Sequence, residues 1–229
     1  MPTEDGKPVV LAVDVGGNNV KVMLSTGSER RKMPSGPTMT AANMVDKVKE
    51  LAAGWDYDVI SIGYPGTVKN NMVTLEPHNL GPGWMGFDFG AAFGKPLKMI
   101  NDAAMQAIGD YEGGRMLFLG LGTGLGGALI LENVVQPLEI AHLPYRKKKS
   151  FEEYVGSAGL QERGVAKWRE SVADIVDRLH KALLPDYIVV GGGNVKKIET
   201  LPDYCRRGEN DKAFEGGFRL WSNPALVHP

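Results

Sequence analysis

Apolar runs broken by glycine turns recur at two places along the chain. Val9–Asp14 (VVLAVD) has the density of a buried strand, Gly16-Gly17-Asn18-Asn19 carries turn chemistry, and Val20–Leu24 (VKVML) resumes an apolar-rich strand; that order predicts a hairpin. The device returns in FLGLGTGLGGALIL at 118–131. Val9–Leu24 and Met116–Glu132 are thus a weak internal repeat of pattern rather than of residues. Between them, NMVDKVKELAA at 43–53 places Met44, Val45, Val48, Leu51 and Ala52 at helical spacing. Val59–Tyr64 and Leu97–Ile100 read as strands, and 77–96, rich in Pro, Gly and aromatics, as an ordered loop with little helix. Asn101-Asp102 caps a predicted helix running to about Tyr111. Later come two helical stretches, at 152–163 and 165–183, a strand at Tyr187–Val190 leading into Gly191-Gly192-Gly193, and a short helix at 195–200. The segment 203–229 is polar and contains Gly and Pro; it reads as a tail anchored by Phe214, Phe218, Leu220 and Trp221. Strands and helices mixed in this way predict an α/β fold.

The second glycine turn, Gly122-Thr123-Gly124-Leu125-Gly126-Gly127, has the G-x-G-x-x-G spacing of a dinucleotide-binding turn. That motif requires a helix after the turn, and the segment that follows here, ALIL, reads as a strand. A hairpin turn of this kind still offers consecutive backbone N–H groups to an anion, and Thr123 adds a hydroxyl. Two such turns facing one another across a cleft would grip phosphates from both sides. The plain alternative is a pair of ordinary hairpins whose glycines only permit positive φ.

Composition narrows the classes. The chain has 229 residues, enough for one large domain or two small lobes, and 43% hydrophobic residues, enough to fill a core. Lys+Arg 26 against Asp+Glu 27 leaves a net charge of -1, so no charge bias points to nucleic acid or an anionic membrane. Cys205 is the single cysteine, which excludes an internal disulfide and a Cys-rich zinc site. No apolar run approaches the ~20 residues of a membrane span, and the N-terminus is polar, without a signal-peptide core. The expectation is a cytoplasmic protein.

Taken together, the motifs resemble the sugar kinases of the actin-like ATPase superfamily. They are most similar to the ROK family (repressors, open reading frames, kinases) and, within it, to the polyphosphate-utilising glucokinases. LAVDVGGNNVKV matches the first phosphate motif, LGLGTGLGGALI the second, and IVVGGGNVKK the nucleotide-side glycine motif. SIGYPGTV and PHNLGPGW match sugar-side loops, INDAAMQA the catalytic segment, EIAHLPY the E-x-G-H motif and FEEYVG the E-x-Y that follows it. These matches cover nearly the whole chain, in the family's order.

The resemblance implies a two-lobed fold with a cleft between the lobes: a small lobe at 1–101, a larger one at 102–206, and a tail at 207–229 packing back. It implies phosphoryl transfer from ATP or polyphosphate, with Mg²⁺, to the 6-hydroxyl of glucose or a close hexose at the start of glycolysis, by a homodimer. Asp102 would be the base that takes the hydroxyl proton, although an Asp in that place also serves as an N-cap. Asn79, Asn101, Asp102, Glu139, His142 and Glu152 would bind sugar, with Trp84 walling the pocket. Asp14, Gly16, Gly17, Asn18, Gly122, Thr123, Gly124, Gly191 and Gly192 would face phosphate or nucleotide, with Asp14 holding Mg²⁺ through water unless it is only a turn-forming residue. Glu152 and Glu153 are adjacent, and the E-x-Y match chooses Glu152.

The sequence departs from the family pattern at three points. Asn18 stands where the first loop usually carries Thr or Ser, Ala141 replaces the Gly of E-x-G-H, and the Cys-rich zinc motif is missing, which makes His142 an expected sugar ligand rather than a metal ligand. The family's long C-terminal helix is expected to give way to the FEGGFRLW tail. The basic runs Arg30-Arg31-Lys32 and Arg146-Lys147-Lys148-Lys149 could track polyphosphate or be solvated surface. Two rival functions remain: a sugar sensor without turnover, for which only about eight residues precede the first strand, too few for a helix-turn-helix; and another sugar or acyl phosphotransferase on the same fold.

Overall fold

The computed structural model describes residues 6–209 and 211–223, which form two compact units. The first runs through Gly109 and resumes at Ala213; the second is Asp110–Lys212. The division therefore falls later than the expected one at 101/102, and the helix that begins at Asp102 goes with the first unit.

The first unit holds a five-stranded sheet in the order β3-β2-β1-β4-β7. Its strands are β1 (Val10–Val15), β2 (Asn19–Leu24), β3 (Arg30–Pro34), β4 (Val59–Tyr64) and β7 (Leu97–Asn101); β5 (Val68–Lys69) and β6 (Met72–Val73) make a separate small hairpin. β1 pairs antiparallel with β2 and parallel with β4, which pairs parallel with β7. Strands β1 and β4 are almost continuously apolar because the interior of a parallel sheet is covered on both faces. Helix α1 (Ala41–Leu51) starts where Thr40 Oγ1 accepts from Asn43 N (3.2 Å), and it buries Ala41, Met44, Val45 and Val48 along one stripe. Helix α2 (Phe89–Phe93) is a short turn within the Gly/Pro-rich loop, and α3 (Asp102–Asp110) follows β7 directly. Trp84 lies fully buried against Tyr64 and Phe89 and donates from Nε1 to Met39 O at 3.1 Å. It is a core residue of this unit and not a pocket wall: the loop folds it inward together with Phe89 and Phe93, because burying large apolar rings is favourable.

The second unit repeats the plan: β10-β9-β8-β11-β12, from β8 (Arg115–Leu121), β9 (Leu125–Leu131), β10 (Val134–Leu138), β11 (Tyr187–Gly191) and β12 (Cys205–Arg207). Again the first strand pairs antiparallel with the second and parallel with the fourth. The repeat legible in the two hairpins is thus a repeat of sheet topology. Helix α4 (Phe151–Val155) opens on a capping box, Ser150 N donating to Glu153 Oε2 (2.7 Å) and Glu153 N to Ser150 Oγ. Helix α5 (Ser157–Leu183) is broken at Gly164, where φ is +74°, the break expected between the two helical stretches. The segment after the triple glycine forms only a 3₁₀ turn, Val195–Lys197.

The C-terminal segment differs most from expectation. Residues Lys212–Ser222 form helix α6, with Phe214 and Leu220 buried. Gly216 and Gly217, which lower helix propensity, are what let it dock. A Cβ on Gly216 would lie 1.7 Å from the carbonyl oxygen of Met105 in α3, and one on Gly217 2.9 Å from Ala12 Cβ in β1. Ser61 Oγ donates to Gly217 O (2.6 Å) and accepts from Trp221 Nε1 (3.0 Å), while Lys98 Nζ donates to Leu220 O (2.6 Å).

In the second unit Asp110 is 3% exposed, and its Oδ2 has no hydrogen-bond partner among the described residues. Burial pushes its carboxyl up to about 6, against the opposing pull of Arg206 and Lys212. Between about pH 4 and 6 the folded chain keeps a proton that the unfolded chain has lost. The stabilisation is therefore complete below the unfolded value near 3.8 and lost as pH rises through about 6. Asp110→Asn is expected to exceed the wild type in stability at pH 7.5 by about 1–3 kcal/mol, and to flatten the dependence between pH 4.5 and 7.5 in urea denaturation.

Candidate functional site

The first turn is built by hairpin geometry. Gly16 N donates to Asn19 O (2.9 Å), which closes the turn over Gly17 and Asn18. Ser35, the residue after β3, fixes it, Oγ donating to Gly16 O (2.6 Å) and N to Asn18 O (3.0 Å). The register places Asp14 opposite Lys21, and Lys21 Nζ lies 2.8 Å from Asp14 Oδ2. Asn79 is carried to this turn by its own loop: a Cβ on Gly17 would lie 3.2 Å from Asn79 Cβ. That loop is pinned by Glu76, which accepts from Met85 N (3.1 Å) and Trp84 N (3.2 Å); these bonds hold its carboxyl below the usual range.

Asn101 and Asp102 sit at the carboxyl end of the same sheet. Across it, Asp14 aligns with Gly63, and Gly63 with Ile100. Asn101 Oδ1 accepts from Ala104 N (3.0 Å), and its Nδ2 donates to Gly66 O (3.2 Å) in the PGT turn. The N-cap of α3 is therefore Asn101. Asp102 is the first helical residue, and its Oδ1 accepts from Ala103 N at 2.7 Å. Gly63 is glycine because the chain passes closely here, its Cβ position lying 3.3 Å from Asp102 Cα. The first unit thus gathers Asp14, Gly16, Gly17, Asn18, Asn79, Asn101 and Asp102 at the carboxyl ends of β1, β4 and β7, the edge at which open α/β sheets bind ligands.

The second turn, Gly122-Thr123-Gly124, is held by its carbonyls. Gly122 O accepts from Ser157 Oγ (2.8 Å) and Asn194 Nδ2 (3.0 Å), Thr123 O from Ser157 N (3.0 Å), and Gly124 O from Gly122 N (3.1 Å). With the oxygens committed, the N–H groups of Thr123 and Gly124 have no acceptor among the described residues, the polarity that an anion needs. Gly191 closes β11, and Gly192 follows with φ +84°; a Cβ there would fall 2.4 Å from Leu121 O. Gly192 therefore packs on the base of the second turn. Ser157 and Asn194 were not singled out from the sequence, although Asn194 directly follows the triple glycine.

Glu139 precedes and His142 ends the 3₁₀ turn Ile140–His142, both exposed, with His142 Nε2 3.8 Å from Glu139 Oε2. Glu152 is elsewhere engaged: its Oε2 accepts from Leu125 N at 3.0 Å. Glu153 is consumed by the capping box, so the two adjacent acids have separate duties.

The basic runs are largely accounted for. Arg31 lies 4.0 Å over the Trp55 ring and donates to Leu51 O and Ala53 O. Arg146 pairs with Asp174 (3.0 Å) and Lys149 with Glu162 (3.1 Å). Lys147 and Lys148 form the tip of that turn, at φ +51° and +62°. No helix among the described residues is long and apolar enough to cross a membrane.

Known proteins resemble this chain in sequence and in fold. The sequence pattern of the ROK family matches residues 10–137. A polyphosphate glucokinase of Mycobacterium tuberculosis is 26% identical over 210 residues, covering 82% of this chain and 78% of the relative. An N-acetylmannosamine kinase of Vibrio vulnificus is 23% identical over 175 residues, covering 68% and 55%. In structure, the inorganic polyphosphate/ATP-glucomannokinase of Arthrobacter sp. strain KM superposes with a TM-score of 0.76 at 19% identity, over 93% of this chain and 98% of that one; at that identity the likeness speaks for the fold.

Proposed function

Because the chain belongs to the ROK family, whose relatives here are sugar kinases, we propose that it is a glucokinase-type phosphotransferase, moving a phosphoryl group from polyphosphate or ATP to the 6-hydroxyl of glucose. The observation that carries this reading is the position of Asp102, first residue of α3, on the sheet edge that also bears Asp14 and the first glycine turn. A carboxylate there accepts the hydroxyl proton as the oxygen attacks, and its bond to Ala103 N holds it in one orientation. Asn101 and Asn79 supply two-sided amides suited to sugar hydroxyls; in the second unit, taken by itself, Glu139, His142 and Glu152 offer polar groups of the same use. The amides of Thr123 and Gly124 receive donor phosphate.

Mg²⁺ is commonly held by one or two carboxylates together with substrate phosphates and water, and Asp14 fits that pattern, with Oδ2 shared with Lys21. When bound, the ion would neutralise phosphate charge. Lys21 places a second positive charge beside the first turn.

Glucose is favoured by the polyphosphate glucokinase relative; the N-acetylmannosamine kinase relative supports a second reading, an amino-sugar acceptor. The deciding experiment crosses donors (ATP, polyphosphate) with acceptors (glucose, mannose, N-acetylmannosamine) at fixed Mg²⁺. Glucose is expected to give the highest kcat/KM with at least one donor. Turnover confined to N-acetylmannosamine would transfer the reading to the amino sugar, and sugar binding without turnover would make the chain a sensor.

A further inference from the structure

We infer that the tip of the basic hairpin, Lys147-Lys148, is a landing site for long-chain inorganic polyphosphate, separate from the turn that receives the reacting phosphate. The inference rests on the reading of polyphosphate as a donor and adds a second contact to it. Three hairpin turns among the described residues pass through two consecutive non-glycine residues with positive φ. Asn70-Asn71 joins β5 to β6, and Glu132-Asn133 joins β9 to β10. The third is Lys147-Lys148, at φ +51° and +62°, closed by Lys149 N donating to Arg146 O (3.0 Å) and Tyr145 N to Lys149 O (2.8 Å). A turn with positive φ at both central residues selects Asn and Gly. The first two turns carry asparagine; the third carries none. Lysine lacks both the freedom of glycine and the short polar side chain with which asparagine bonds locally. Local folding therefore gives no reason for the pair, and strain kept at an exposed site points to a use there.

The rest of the hairpin is tied down, so the tip is presented on a fixed base. Pro144 bridges to Ser150, the Tyr145 ring meets Phe151 and Tyr154 edge-on, and its hydroxyl donates to Asp174 Oδ2 (2.5 Å). Two carboxylates meet the basic run, and each is shared by two cations: Asp174 by Arg146 and Arg178 (3.0 Å each), Glu162 by Lys149 (3.1 Å) and Arg163 (4.0 Å). The base thus keeps a positive excess. Lys147 and Lys148 themselves are exposed and enter no ion pair among the described residues. Free ammonium groups on such a base suit an anion that repeats its charge along its length. The second glycine turn is one short helix away. Ser150 caps α4, and Gly156 ends it with a Cβ position 2.8 Å from Thr123 O. The five residues of α4 span roughly 8 Å. A triphosphate on the Thr123 and Gly124 amides is short beside that helix and the hairpin beyond it, whereas a polymer can occupy both. The net charge of -1 provides no wider basic field of the kind nucleic acid requires, which favours polyphosphate.

The test uses the full chain with ATP, tripolyphosphate and long-chain polyphosphate. Lys147→Gln with Lys148→Gln removes the charges and keeps the strain. It is expected to raise KM for the long chain by about tenfold, to flatten the plot of log KM against log salt by roughly 1–2 in slope, and to leave KM for ATP and tripolyphosphate within about twofold of wild type. Lys147→Arg with Lys148→Arg should restore the long-chain KM. Lys147→Asn with Lys148→Gly should melt above the wild type and still bind the long chain as weakly as the Gln pair, so that lost folding cannot stand in for lost binding. A long-chain KM unchanged in the Gln pair, or raised alike for all three donors, would overturn the inference. So would single-stranded RNA that binds the wild type as tightly as polyphosphate does at the same salt. If the wild type transfers nothing from polyphosphate, the donor reading fails instead, and an equilibrium titration with long-chain polyphosphate still decides the site. Binding weakened about tenfold in the Gln pair upholds it, and equal binding refutes it.

Discussion

Asp102→Asn is expected to lower kcat by about 10²–10⁴-fold, the usual contribution of a general base, with the sugar KM within a few-fold of wild type. The Asn variant is the sharper choice over Ala. Its amide oxygen can still accept from Ala103 N, the bond that orients Asp102 at 2.7 Å, and Asn101 rather than Asp102 caps the helix through Ala104 N. The substitution therefore removes proton acceptance and keeps local structure. A loss in kcat with an unchanged melting temperature is the expected result, read from initial rates with each donor. A kcat near wild type would mean that Asp102 serves the helix alone.

The largest effect on stability is expected at Gly216. Replacing a mid-helix glycine by alanine ordinarily favours the helix by about 1 kcal/mol. Here the sign reverses, because the added methyl would lie 1.7 Å from Met105 O, a backbone atom of another helix that cannot rotate away. Gly216→Ala is expected to destabilise the chain by at least about 3 kcal/mol. For a chain of this size that lowers the melting temperature by roughly 6–12 °C. Scanning calorimetry separates the two outcomes by sign alone, and a rise in melting temperature would show that α6 does not rest on α3.

These two residues also mark what the sequence could and could not disclose. The hairpins were legible because local chemistry makes them: alternating burial, diglycine turns and no helix after the second. The strand at Val59, the start of α3 at Asn101-Asp102 and the break at Gly164 were legible for the same reason. Helix α6 was not. Gly216-Gly217 in an otherwise polar segment argues against a helix by propensity, and the reason for those glycines lies in Met105 and Ala12, far away in sequence. Trp84 misled in a similar way, since a tryptophan among Gly and Pro gives no sign of facing inward until the loop closes on Glu76. In the candidate site, residue types suggested the chemistry proposed above, but not which contacts hold each residue in place. Glu152 matched a sugar motif, while its bond to Leu125 depends on how α4 meets a hairpin. The pairing of Asp14 with Lys21 could have been read from the hairpin register once the turn was placed at Gly16–Asn19.

The return of α6 to the first unit has a consequence for synthesis on the ribosome. Translation runs from the N-terminus, so the strands around Asp14 and Asp102 emerge early, whereas the helix that covers Ser61 and Met105 emerges after all of Asp110–Lys212. At about 5–20 residues per second, roughly a hundred intervening residues impose a delay of roughly 5–20 s. During it the later unit, continuous in the chain, can complete its fold while the earlier one waits with an apolar seat uncovered. The order of maturation then inverts the order of synthesis, and the seat of α6 stays open until residues 212–222 have emerged.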